Sequence, residues 1–164
     1  MGNLLHLGEE NMDILIINAL LDSLMKIFNT MVGVAPIPGV PVPKEDNISL
    51  GDVSGIMLME ADKARGSMAI SFSTGAISRV AKKMLGDNLQ KIDDTARDLT
   101  GEMTNMLVGG AKKILAERGY TFEMSIPNVI SGKNHTIEHK YPGQTVILPF
   151  TLEKDRFYLE INFQ

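Results

Sequence analysis

The sequence predicts an α+β fold: a mostly antiparallel sheet covered by two long helices plus one short helix. Three observations carry this. Two stretches, Asn11–Val32 and Asp94–Arg118, repeat apolar residues at steps of three and four, the helical period. Elsewhere, pairs of alternating apolar runs are joined by short polar links, the pattern of β-hairpins. Hairpin-linked strands make an antiparallel sheet, and helices this apolar need a sheet or another long helix as cover.

Residues 1–10 read as a short lead-in. The first helix repeats Ile14, Ile17, Leu21, Leu24, Met25, Phe28 and Met31, with Gly33 at its end. Leu15, Ile16 and Leu20 are apolar as well, so its first half is expected to be buried on more than one side. Val34–Lys44 carries four prolines, which forbid a helix and leave a connector or an edge strand. Gly55–Ala61 and Ser67–Phe72 form a hairpin about the turn Asp62–Gly66. Ser73, Thr74 and Gly75 cap a short helix running to Leu85, with Ile77, Val80, Ala81 and Met84 inward and Gly86 at its end.

After Gly119 the chain turns back to strands. Phe122–Ile126 and Asn128–Ser131 form one strand interrupted by Pro127, Gly132–Asn134 turns, and Thr136–Lys140 reads as a further strand. Gln144–Leu152 and Arg156–Phe163 make a last hairpin around Glu153, Lys154 and Asp155. Pro149 inside its first arm suggests an edge or a bulge. A long helix followed by a hairpin occurs twice, which hints at a duplicated half.

Composition narrows the function classes. The 164 residues suit one domain, spanning 1–164, with a sizeable core. Hydrophobic content of 44%, a mean hydropathy of +0.03 and a net charge of −4 describe a mildly acidic globular chain, and there is no Lys/Arg cluster for nucleic acid. With no cysteine there are no disulfides, thiolate metal sites or thiol nucleophiles, in keeping with a cytoplasmic setting. Glu9 and Glu10 stand where a secretory signal wants basic residues, and the apolar run Ile14–Leu21 is short of the ~20 residues of a membrane span. Eleven methionines are many beside nine aromatic residues; they suit an adaptable core and also a surface that adjusts to a partner. The phosphate-binding glycine loops and the G-x-S-x-G elbow are absent. His135 and His139 stand four apart in a strand or loop, a poor start for a zinc site, so no metal is expected.

The second long helix carries the candidate site. Asp93 or Asp94 is its N-cap and Gly119 follows its last turn. Leu99, Met103, Met106, Leu107, Gly110 and Ile114 form its buried side. Beside them runs a polar stripe, Asp98, Glu102, Asn105, Gly109 and Lys112, at steps of four, three, four and three. Glu102 and Asn105 are one turn apart and can act on one object. Interior glycines each cost about 1 kcal/mol against alanine. Gly110 points to a close helix or sheet contact, and Gly109 to room for an approaching backbone. A carboxamide such as Asn105 is a poor acid or base, but it can hold and aim a water. That is enough for hydrolysis of an activated phosphoryl group, where catalysis is mostly positioning. A solvated acidic helix face fits the same stripe.

Asp98-x3-Glu102-x2-Asn105-Met-x2-Gly109 resembles the signature of the CheX branch of the CheC/CheX/FliY chemotaxis phosphatases. Ile17–Gly33 resembles that family's first helix, Asp52–Ser73 its first hairpin, Met84–Asp87 the end of its short helix, and Met124–Ile137 its Ser-x-Pro-x-Val-x-x-Gly strand. The order matches over residues 11–163. The resemblance implies a CheC-like fold, with two long antiparallel helices against the sheet. It implies a phosphorylated CheY-type response regulator as partner and hydrolysis of its aspartyl phosphate as reaction. By position, Glu102 is expected to pair with the regulator's lysine and Asn105 to orient the attacking water. Asp98, Gly109 and Lys112 are expected to contact the partner. No cofactor of its own is implied; Mg²⁺ is expected on the regulator, with no membrane and no nucleic acid. Relatives with a second E-x-x-N carry it on the first helix, where this chain has Leu15 and Asn18, so one site and a CheX-like homodimer are implied. The alternative is a non-catalytic adaptor of the same fold.

Overall fold

The computed structural model describes residues 12–61 and 64–163. The expected lead-in, Asn11, Asp62 and Lys63 of the expected turn, and Gln164 lie outside the described residues. In chain order the elements are α1 (Met12–Ile27), β1 (Ile37–Pro38), β2 (Val42–Pro43), β3 (Val53–Glu60), β4 (Arg65–Phe72), α2 (Thr74–Leu85), α3 (Asp94–Glu117), β5 (Glu123–Met124), β6 (Asn128–Ser131), β7 (Thr145–Leu152) and β8 (Asp155–Phe163). The α+β reading holds. All strands join one antiparallel sheet in the order β1-β7-β8-β4-β3-β5, with β2 on β7 and β6 on β3. The two long hairpins meet at β4–β8.

The caps follow the sequence chemistry. The Ala76 amide donates to Ser73 Oγ at 3.1 Å, and Gly86 closes α2 at φ 75°. The Ala96 amide donates to Asp93 Oδ1 at 2.9 Å, which settles the N-cap of α3 on Asp93; Gly119 follows its end at φ 90°. α1 does not stop at Ile27. Phe28–Val32 continues it as one turn of π-helix, closed by the Gly33 amide donating to the Phe28 carbonyl at 2.7 Å. The ring of Phe28 stacks on Phe157 at 4.9 Å, and Phe157 on Phe150 at 5.0 Å, so the end of α1 is pinned to β8 and β7.

One core fills the space between the helices and one face of the sheet. Leu15, Ile16, Ala19, Leu20 and Leu24 of α1 enter it, with Met57, Met59, Met68, Ile70, Phe157 and Leu159 from the strands. Met57, Met59, Met68 and Met103 are buried, so these methionines serve packing. Burial also corrects the length argument about membranes. From Met12 to Val32 the helical stretch is 21 residues with mean hydropathy 1.4, long and apolar enough to span. Leu15, Ile16, Ala19, Leu20, Leu24, Phe28 and Val32 of this stretch nevertheless lie in the same core as the sheet, while Met31 is exposed.

The opposite face of the sheet departs most from expectation. Residues 44–52 and 132–144 fold across it, and its polar side chains are buried. Glu160 is fully buried, accepting from Lys44 Nζ at 2.8 Å and meeting His139 Nε2 at 2.9 Å; His139 Nδ1 meets Ser67 Oγ at 3.0 Å. Ser54, Ser71, Ser49 and His135 form a second cluster. Thr136–Lys140 is not a strand. It contributes one bridge, Ile48 to Thr136, beside the bond from the Ile137 amide to the Asn47 carbonyl at 2.7 Å. Pro149 sits inside β7 opposite Tyr158, and on its other side its carbonyl accepts from Gly39, in the gap between β1 and β2. The proline-rich segment is thus an interrupted edge strand.

Candidate functional site

Two contacts fix the rotation of α3, and hence where its polar stripe faces. A side chain at Gly55 on β3 would place its Cβ 1.8 Å from Thr104 Oγ1, so the helix lies hard against that strand. Thr100 and Thr104 return their hydroxyls to the carbonyls of Ala96 and Thr100, at 2.8 and 2.6 Å, and so leave no buried donor unmet. A side chain at Gly110 would meet Ser23 Oγ at 2.2 Å, so α1 is equally close on the other flank. The buried side is accordingly shifted from the one the periodicity indicated: Leu99, Met103 and Leu107 are buried together with Thr100, Thr104, Val108, Ala111 and Leu115, while Met106, Gly110 and Ile114 are half-buried.

The first half of the stripe faces solvent. Asp98, Glu102 and Asn105 are exposed, and Gly109 and Lys112 are half-buried further along. Arg97, Asp98, Gly101, Glu102, Asn105, Pro127 and Val129 line an open groove of about 470 Å³. Its second wall is β6 and the residue before it. Arg97 holds that wall, its guanidinium donating to the Val129 carbonyl at 3.0 Å and to the Ser131 hydroxyl. Val129 Cγ2 would stand 3.3 Å from a Cβ at Gly101, so this glycine lets β6 close on the helix. Nothing lies within 4 Å of the Cβ position of Gly109, and the surface beyond Asn105 is open to an approaching chain.

The structure therefore brings Asp98, Glu102 and Asn105 into one groove and leaves Gly109 and Lys112 on the same helix outside its lining. Sequence spacing missed Arg97, Gly101 and Val129; their part arises from the long-range docking of β6, which no local pattern encodes. Leu15 is buried in the core and Asn18 is half-buried, so α1 offers no second carboxylate–amide pair there. His135 and His139 are held in the two separate clusters on the far face of the sheet. Among the described residues, no group of three or more His, Asp or Glu is arranged to hold a metal ion.

The groove can do a limited set of things. Glu102 offers a carboxylate to a cation. Asn105 offers one acceptor and two donor hydrogens, enough to bind a water and set its direction. Both are presented by a helix fixed on two sides, which gives positioning more precision than a loop would.

Comparison with known proteins places these features. Over residues 53–151 the chain matches the family model described as chemotaxis phosphatase CheX. A curated protein of Thermotoga maritima named CheY-P phosphatase CheX is 27% identical over 135 residues, which span 77% of this chain and 82% of that protein. The crystal structure of a CheC-like superfamily protein from Shewanella sp. PV-4 is 44% identical with a TM-score of 0.85, over 94% of this chain and 99% of that one. The CheX of a CheX–CheY–BeF3–Mg²⁺ complex from Borrelia burgdorferi superposes with a TM-score of 0.72 over 90% of this chain and 97% of that one; at 24% identity the likeness is one of fold.

Proposed function

The chain belongs to the CheX family of chemotaxis phosphatases, and on that premise we propose that it hydrolyses the aspartyl phosphate of a CheY-type response regulator. The observation that carries this is the exposed pair Glu102 and Asn105, one helical turn apart in the groove. Asn105 enters the regulator's phosphorylation site and aims a water at phosphorus, opposite the aspartate oxygen. Glu102 pairs with the regulator's lysine and sets the depth and angle of entry. Asp98, Gly109 and Lys112 contact the partner around this pair.

The chemistry asks little more of the chain. Water adds to phosphorus, the bond from phosphorus to the aspartate oxygen breaks, and inorganic phosphate and a free carboxylate leave. A carboxylate with a solution pKa near 3.9 leaves without a proton donor. The transition state is loose, so the water needs orientation more than deprotonation. Mg²⁺, which the Borrelia complex contains, is supplied by the regulator. The setting is the cytoplasm, and the working form is a homodimer built through the sheet. The exposed Ile37, Val40 and Val42 of the proline-rich edge support that assembly.

The test is phosphate release from a panel of CheY-like receivers, phosphorylated by a small-molecule donor with Mg²⁺. Acceleration on at least one receiver is expected. Binding to a receiver with no acceleration would make the chain an adaptor.

A further inference from the structure

Between β5 and β6 the sheet edge carries one extra residue. Met124 pairs with Met59 and Asn128 with Ile56, so Ser125, Ile126 and Pro127 stand opposite only Met57 and Leu58. This is a β-bulge, a device that re-aims a side chain and that recurs beside functional sites. It is held at its base. The Ser125 amide donates to the Leu58 carbonyl at 3.1 Å, and the Leu58 amide donates to Ser125 Oγ at 2.9 Å. β6, which follows at once, is fastened to α3 by Arg97. The bulge thus presents Ile126 from a fixed base. At 87% exposure it is the most exposed large apolar side chain among the described residues. The next residue, Pro127, lines the groove with Glu102 and Asn105.

We propose that Ile126 is an apolar anchor for the phosphorylated receiver: it packs on an apolar side chain beside the receiver's phosphorylated aspartate when Asn105 enters. This rests on the phosphatase reading above and adds to it the second wall of the contact. The pair on α3 is polar and supplies direction. A few residues carry most of the affinity of such surfaces, and an aromatic or aliphatic anchor seated in a pocket beside hydrogen-bonded polar groups is one arrangement that does so. Ile126 adjoins the groove through Pro127, stands on a hydrogen-bonded base and is uncovered among the described residues, and it meets that requirement where α3 does not. The anchor affects association, not the chemical step, so it is a specificity residue rather than a catalytic one.

The experiment compares wild type, Ile126→Glu, Ile126→Ala, Ile126→Val and Asn105→Ala. It measures dephosphorylation kinetics, binding to the receiver held with beryllofluoride and Mg²⁺ (a stand-in for the phosphoryl group), and mass in solution. Expected are an increase in KM of about tenfold for Ile126→Glu and Ile126→Ala, kcat within about twofold, binding weakened in parallel, and Ile126→Val close to wild type. Thermal stability should be unchanged, since the side chain is exposed. If wild type is active and these variants match it, the anchor is wrong and the phosphatase reading stands. If wild type binds receivers without hydrolysing them and Ile126→Glu weakens that binding, the anchor stands and the catalytic reading falls. If wild type neither binds nor hydrolyses, both fall. A change in oligomeric state in Ile126→Glu would assign the residue to contact between copies and overturn the inference.

Discussion

Ser23 of α1 donates a hydrogen bond to the Leu107 carbonyl of α3 at 2.8 Å, through the space left by the missing side chain of Gly110. The two long helices meet at this point more closely than a Cβ would permit. Together with Gly55 against Thr104, the contact sets the roll of α3 and turns Glu102 and Asn105 outward.

Gly110 and its neighbour Gly109 should therefore respond oppositely to alanine. At Gly110 the new Cβ would sit 2.2 Å from Ser23 Oγ and 3.2 Å from Ser23 Cβ. Overpacking of that kind costs about 1–3 kcal/mol, more than the helix propensity gained. Urea unfolding should show Gly110→Ala destabilised. Adding Ser23→Ala should recover part of the loss, a non-additivity expected of touching residues.

At Gly109 a Cβ meets nothing within 4 Å. Gly109→Ala should gain up to about 1 kcal/mol in the same unfolding measurement, from helix propensity and a less flexible unfolded chain. Gly109→Val should cost receiver turnover at unchanged fold, because the bulk stands where the partner approaches. Full activity in Gly109→Val would remove this glycine from the contact surface.

Glu102→Gln keeps the shape and removes the charge. The expected result is a rise in KM of about tenfold, with a smaller dependence of kcat/KM on ionic strength than wild type shows. An unchanged salt dependence would mean that Glu102 meets no cation on the receiver.

The acid and alkaline limits of stability should show at Tyr141. Its hydroxyl donates to Glu60 Oε1 at 2.7 Å, and this bond holds the Glu60 carboxyl below its ordinary 4.5. Burial, and then the same bond, push the Tyr141 phenol above 10.0. A lowered carboxyl pKa gives stability that is present above 4.5 and lost as pH falls through the folded value; a raised phenol pKa gives stability present below 10.0 and lost as pH rises through the folded value. The stability difference between wild type and Tyr141→Phe should therefore be flat between these limits and shrink beyond each.

Much of the molecule was legible locally. Asp93, Ser73, Gly86 and Gly119 mark helix ends by chemistry that acts within a turn, and period-two runs name β3, β4, β7 and β8. The polar stripe was legible for the same reason, since Asp98, Glu102 and Asn105 share a face by helix geometry alone. The remainder depends on residues far apart in the chain. Nothing in the runs of β4 and β8 marks Glu160 and Ser67 for burial; they are buried because Lys44 and His139 arrive from distant loops. The far wall of the groove depends on how β6 pairs with β3 and where Arg97 reaches. The bulge at Ile126 appears only when the registers on both of its sides are known.

The central claim, that Asn105 positions the attacking water, is tested most directly by single-turnover dephosphorylation of a cognate receiver with Asn105→Ala beside wild type. Binding to the beryllofluoride-held receiver is measured in parallel. The account predicts that acceleration falls by at least about a hundredfold, the scale expected for loss of a positioning group, while affinity stays within about fivefold. Acceleration retained at the wild-type level with binding intact would contradict it.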